Sequence, residues 1–148
     1  MAKITVLGSG GWGMALAISA YNNGCEVTLW SPFEEEVNLL REKRTNEKLL
    51  KDIYIPEGIK ITSDISVAEN DTVTIIAVPS VAVRDVASKL ALVENHGIVV
   101  NVAKGIEKES LKRLSQVISD ELPKSRVVVL SGPSHAEELI QRKLTNIF

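Results

Sequence analysis

Hydrophobic residues in this chain follow two rhythms. Short runs rich in Val, Ile, Leu and Thr recur along it, and between them apolar positions return at helical spacing. Lys3–Leu7 (KITVL) predicts a first strand. A glycine cluster leads from it into a helix from about Gly11 to Asn22, with Gly24 as its C-terminal cap. Glu26–Trp30 (EVTLW) is the second strand. The SPFEEE that follows predicts a helix start, with Ser31 as N-cap, Pro32 at the first helical position and Glu34 three residues past the cap; that helix runs to about Arg44. Ile59–Thr62 predicts a short strand, and Ser63 caps a short helix in SDISVAEN. Thr72–Val78, Gly97–Ala103 and Arg126–Leu130 predict further strands. Helices over VAVRDVASKLALV and ESLKRLSQVISDEL separate them, and a last helix starts within SGPSHAEEL. Near-continuous apolar strands alternating with helices predict an α/β fold: a doubly wound parallel sheet covered on both faces, in a single domain over residues 1–148.

Composition narrows the classes. With 45% apolar and 24% charged residues, the chain has the balance of a soluble globular domain with one core. A net charge of -2 and the absence of any basic tract exclude a general affinity for nucleic acid or for anionic membranes. The one cysteine, Cys25, has no partner for an intrachain disulfide and points to a reducing compartment. Met1-Ala2-Lys3 leads straight into a strand without a signal peptide, and no apolar run approaches the roughly 20 residues needed to span a bilayer. The expectation is a cytoplasmic protein. His96, His135 and Cys25 show no metal-ligand spacing, so no metal is expected, and no nucleophile elbow is present.

The chemistry concentrates in Gly8-Ser9-Gly10-Gly11-Trp12-Gly13. A strand precedes this cluster, a helix follows, and a second strand arrives in register for a βαβ unit, the context that gives a glycine pattern meaning. In a Rossmann-like dinucleotide-binding fold Gly8 makes the tight turn, Gly10 lets the backbone approach a pyrophosphate, and Gly13 permits close helix–strand packing. The helix N-terminus adds free N–H donors. At the end of the second strand, Trp30-Ser31-Pro32 supplies neither the acidic residue usual for NAD nor an arginine for NADP. Ser31 can hydrogen-bond a ribose hydroxyl, Pro32 has no N–H, and Glu34, Glu35 and Glu36 repel a 2′-phosphate, so NAD is favoured over NADP. Ligands of such sheets sit beyond the carboxyl ends of the strands. Pro79-Ser80, Lys104-Gly105 and Ser131-Gly132-Pro133-Ser134 also lie there. Lys104 is placed to meet a phosphate or a substrate oxygen, and Gly132 and Ser134 can donate from backbone and hydroxyl. On position alone, a solvated lysine and a simple capped turn are the favoured readings. His135 reads as a polar helix-start residue.

The motifs GSGGWGMALA, LW, AVPS, NVAKGIE and SGPSHAEE occur in the order found in bacterial NAD(P)-dependent glycerol-3-phosphate dehydrogenase, which the chain resembles from residue 3 to about 138. The resemblance implies reversible hydride transfer between a nicotinamide cofactor and C2 of sn-glycerol 3-phosphate, giving dihydroxyacetone phosphate and feeding glycerophospholipid synthesis. It implies that Gly11 and Trp12 contact the cofactor, that Ala136 lies against it, and that Lys104 meets both cofactor and substrate. Gly132 and Ser134 help bind substrate, and Pro32 stands where the family often has a basic residue. The family's acid/base lysine lies in a second, helical domain, so no catalytic residue is expected within these 148 residues. LIQRKLTNIF fits the family poorly, with Leu144 where proline is usual, and the chain is expected to be cut short inside a further strand. Cofactor binding with little or no turnover follows, together with self-association through an unpaired edge. Trp12 and Trp30 should both report binding, Trp30 from beside the adenosine ribose. Two other readings are a related hydroxy-acid dehydrogenase and a non-catalytic dinucleotide-sensing module.

Overall fold

The computed structural model describes residues 1–94, 97–132 and 135–141. Six parallel strands form one sheet: β1 (Lys3–Leu7), β2 (Glu26–Trp30), β3 (Lys60–Thr62), β4 (Val73–Ile76), β5 (Ile98–Asn101) and β6 (Arg126–Val129), in the spatial order β3-β2-β1-β4-β5-β6. β1 lies between β2 and β4, with Leu7 opposite both Trp30 and Ile76. The chain first winds outward from β1 to β3, then returns to β4 on the other side of β1. That reversal opens a crevice above the carboxyl ends of β1 and β4.

Helices α1 (Gly11–Asn22) and α2 (Glu34–Lys43) cover one face, and α3 (Val83–Leu90) and α4 (Leu114–Glu121) cover the other. A short α5 (Ala136–Ile140) packs on α1. Because side chains alternate along a strand, each central strand feeds both cores. Val6 and Ile75 pack with Met14, Ala17 and Val37, while Leu7 and Ile76 pack with Val83, Leu90 and Val117. This double burial is why the strands read as unbroken apolar runs rather than alternating ones.

Four local expectations are corrected. Ser31 is not the N-cap of α2: the cap is Phe33 and the helix starts at Glu34, leaving Ser31 and Pro32 in the loop above the sheet. Asp64, not Ser63, caps the short 3-10 turn Ile65–Ala68 by accepting from the Ser66 N–H at 2.9 Å. α4 starts at Leu114 rather than near Glu109, because residues 106–113 form a turn closed by an isolated bridge between Ile106 and Arg113. Trp30 is not beside a ligand site: it is 2% exposed in the core, and its indole N–H donates to the Ser63 carbonyl at 2.9 Å.

At the opposite end of the sheet, away from the crevice, Asp71 is buried just ahead of β4. Its Oδ2 accepts from the Thr74 hydroxyl at 3.3 Å, while Lys3 Nζ stands 3.7 Å from Oδ1. Burial raises its pKa above 3.8, with Thr5, Lys3 and Thr74 acting in the other direction. A raised folded-state pKa means that folding disfavours the charged form. The contribution of Asp71 to stability is therefore greatest below 3.8 and is lost as pH rises through the folded value. Asp71→Asn removes that loss. The thermal midpoint of the variant, followed against pH, is expected to gain on the parent chain from about pH 4 upward.

Candidate functional site

β1 ends in a turn that only glycine permits at two places. Gly8 has φ +127°, and a Cβ there would lie 2.7 Å from the carbonyl carbon of Ala77. Gly13 sits on the first turn of α1, where a Cβ would press into the Gly8 carbonyl, 3.0 Å from its carbon. Helix, loop and β4 thus meet backbone to backbone. Gly10 differs, since a Cβ at that position meets nothing within 4 Å. Its missing side chain leaves open space over the crevice. Gly10 is also the N-cap of α1, and no side chain caps the helix or places an acid in its first turn. The first N–H groups of α1 therefore face the crevice without a side-chain acceptor, with the positive end of the helix dipole behind them.

Two cavities flank this loop and share Gly10, Ala77, Val78 and Pro79. One, of about 430 Å³, lies toward β2 and is lined by Gly8, Ser31, Pro32, Phe33 and Glu36 among others. Ser31 is buried at 1% exposure; its hydroxyl donates to Glu36 Oε2 at 2.6 Å and accepts from the Phe33 N–H at 3.3 Å. Phe33 remains 67% exposed at the rim, a large ring left where another flat ring can stack. The second cavity, of about 380 Å³, lies toward β5 and β6 and is lined by Gly11, Trp12, Lys104, Gly132, His135 and Ala136 among others. Each volume is within the range of small-molecule sites.

The loop that carries Lys104 is held from both ends. Asn101, buried in β5, donates from Nδ2 to the Ala103 carbonyl at 3.1 Å and accepts from the Ala103 N–H at 3.2 Å. Beyond Lys104, Glu107 takes both arms of the Arg84 guanidinium at 2.6 and 2.7 Å, while Arg84 also donates to Glu121 at 2.8 Å. The Arg84 hydrogen bonds, with help from Ser110, hold the Glu107 carboxyl down at about 2. Its contribution to stability is therefore complete above 4.5 and is lost only as pH falls toward 2. Lys104 itself reaches across to donate to the Gly132 carbonyl at 3.3 Å.

Most of the residues singled out in the sequence are gathered here. Gly8, Gly10, Ser31, Pro32 and Pro79 line the first cavity, and Gly10, Gly11, Trp12, Pro79, Lys104, Gly132 and Ala136 line the second. Gly13 lies buried behind the loop. Ser134 and His96 fall outside the described residues. Glu36, named in the sequence with Glu34 and Glu35 as a charge against a 2′-phosphate, is the one of the three that lines a cavity, whereas the roles of Phe33 and Asn101 were not read from the sequence. Of these two, only Asn101 left a signal, as the single polar position inside the apolar IVVNVA.

A parallel sheet with a switch point, a glycine turn and an uncapped helix N-terminus between two cavities defines a dinucleotide-binding domain. Residues 3–148 match the family model for the N-terminus of NAD-dependent glycerol-3-phosphate dehydrogenase, and the chain belongs to that family. The match continues to Phe148, past the position near 138 where the sequence resemblance stops. A glycerol-3-phosphate dehydrogenase (NAD(P)+) of Fusobacterium nucleatum is 45% identical over 143 residues, which is 94% of this chain and 43% of that protein. Its counterpart in a Thermoanaerobacter species is 47% identical over 142 residues, 95% of this chain and 42% of that protein. The crystal structure of glycerol-3-phosphate dehydrogenase from Coxiella burnetii superposes with a TM-score of 0.89 at 31% identity, over 99% of this chain and 45% of that one. The chain thus spans less than half the length of these relatives.

Proposed function

We propose that this domain is the cofactor half of a dehydrogenase that moves a hydride between a nicotinamide dinucleotide and C2 of sn-glycerol 3-phosphate or dihydroxyacetone phosphate. The carrying observation is the pair of cavities meeting at an open Gly10 and an uncapped α1. This arrangement suits a ligand with two ring systems joined by a pyrophosphate. When bound, the dinucleotide supplies the hydride acceptor or donor.

The protein's part is binding and orientation. The N–H groups opening α1 hold the pyrophosphate, and the pocket of Ser31, Pro32 and Phe33 takes the adenosine end. Trp12, Pro79 and Ala136 wall the nicotinamide end. Lys104, tethered beside Gly132, presents its ammonium where a substrate phosphate or carbinol oxygen enters the same cavity. Substrate contacts by Gly132 and Ser134 belong to this reading, as do a cytoplasmic setting and a role upstream of glycerophospholipids.

Positioning the reacting carbons is one requirement; a group to take the hydroxyl proton is another. The resemblance puts that lysine in a helical domain beyond this one, so the 148 residues by themselves bind cofactor with little or no turnover. Val128 and Val129 on the outermost strand, 42% and 49% exposed, support self-association of the isolated domain.

Trp12 tests the nicotinamide side. It is half-buried and lines that cavity, whereas Trp30 is sealed in the core, so quenching by NADH reports chiefly Trp12. Saturable quenching is expected in the parent chain. Trp12→Ala should weaken NADH, measured by its own fluorescence, about tenfold, the equivalent of ~1.4 kcal/mol of lost ring contact. Unchanged affinity would remove Trp12 from the site.

A further inference from the structure

Of three glutamates in a row after β2, the fold treats one differently. Glu34 bonds the Ser63 hydroxyl and Glu35 is exposed, but Glu36 turns back, half-buried, into the cavity beside β2. Ser31 fixes it there. With Oε2 held at 2.6 Å, Glu36 Oε1 has no hydrogen-bond partner among the described residues. A carboxylate with one oxygen anchored and the other open is an acceptor for neutral hydroxyls, above all the adjacent pair of a ribose.

The charges around it point the same way. The cavity's described lining holds two carboxylates, Glu36 and Asp85, and one cation, Lys89. Lys89 Nζ pairs with Asp85 Oδ2 at 2.9 Å, which leaves the Glu36 carboxylate as the lining's unbalanced charge. Pro32, at the lip, has no N–H to give. A 2′-phosphate carries about 1.5 to 2 negative charges at neutral pH and would enter beside the Glu36 carboxylate, in a lining where carboxylates outnumber cations.

Resting on the dinucleotide reading above, we propose that Glu36 is the residue that selects NAD over NADP, by accepting from the adenosine ribose hydroxyls and repelling a 2′-phosphate, with Ser31 as its positioning residue. The acidic group that such folds usually place at the end of β2 is here supplied from the first turn of α2.

The test titrates the purified chain and its Glu36→Gln variant with NADH and NADPH separately, following tryptophan emission, with circular dichroism to show that both are folded. The parent chain is expected to bind NADH at least about tenfold more tightly than NADPH, because like-charge contact is costly. In Glu36→Gln the ratio should fall to about threefold or less, through tighter NADPH together with weaker NADH. Equal affinities in the parent chain would overturn the proposal while leaving the dinucleotide site standing. So would a variant that loses both cofactors in proportion, since a merely structural role moves the affinities but not their ratio. A folded parent chain that binds neither cofactor would overturn the dinucleotide reading itself, and this proposal with it.

Discussion

Gly13→Ala is expected to cost about 3 kcal/mol or more of stability and to abolish dinucleotide binding. The methyl group would be driven into the Gly8 carbonyl, with 3.0 Å to its carbon, and both atoms belong to backbone that has nowhere to go. On one side Gly8 is held by its N–H bond to the Trp30 carbonyl at 2.9 Å. On the other side the Ala77 N–H donates to Leu7 at 2.8 Å. Relief therefore requires α1 to move away from β1 and β4, which carries the N–H groups of its first turn out of the crevice. Chemical denaturation followed by circular dichroism reads the first effect and NADH titration the second. Gly10→Ala separates the two. Its methyl meets no protein atom within 4 Å and its backbone is ordinary extended chain at φ -68° and ψ 176°. That variant should unfold like the parent chain yet bind NADH poorly, because the methyl occupies space the ligand needs. A Gly10→Ala chain with full affinity would place the pyrophosphate elsewhere.

The second large effect falls on Lys104. Its loop is braced by Asn101 before it and by the Arg84–Glu107 pair after it, so the ammonium is presented from a rigid turn. Removing the side chain costs the protein little, since its one hydrogen bond among the described residues is a 3.3 Å contact with the Gly132 carbonyl at the surface. Ligand binding should pay more heavily. A hydrogen bond to a charged group contributes about 1.5 to 3 kcal/mol, so Lys104→Ala should weaken glycerol 3-phosphate binding to the NADH-loaded chain by roughly ten- to a hundredfold. Calorimetric titration checks this. Lys104→Arg should recover part of the loss, because the charge remains although the point geometry does not. An alanine variant that binds glycerol 3-phosphate as the parent does would assign the lysine to solvent.

Where the sequence was legible, one physical requirement dominated. Strands buried on both faces must be apolar throughout, so β1, β2, β4 and β5 announce themselves. The glycine turn does too, because Gly8 and Gly13 answer a backbone crowding that no other residue satisfies. It was less legible where two local solutions competed. ESLKRLSQVISDEL has helical composition from end to end, but the bridge between Ile106 and Arg113, together with Arg84 gripping Glu107, holds residues 106–113 as a turn. That choice is made by a side chain on α3, more than twenty positions away. SPFEEE carries every mark of a capping sequence, yet Ser31 spends its hydroxyl on Glu36 and the helix starts at Glu34. The same bond picks one acid out of three. EEE reads as a uniform acidic first turn, and the contact with Ser31 is what sets Glu36 apart at the first cavity. Trp30 followed the sheet's alternation instead of the loop, and packs with Leu7 and Ile76 in the core.

The most direct measurement of the central claim is an amide NMR titration of the isotopically labelled chain with NADH. A cofactor lying across both cavities should shift the amides of Gly10 to Gly13 most strongly, with those of Ala77, Val78, Phe33, Lys104 and Gly132 moving along the same saturation curve. Shifts confined to other parts of the surface, or no shifts in a folded chain, would contradict the account.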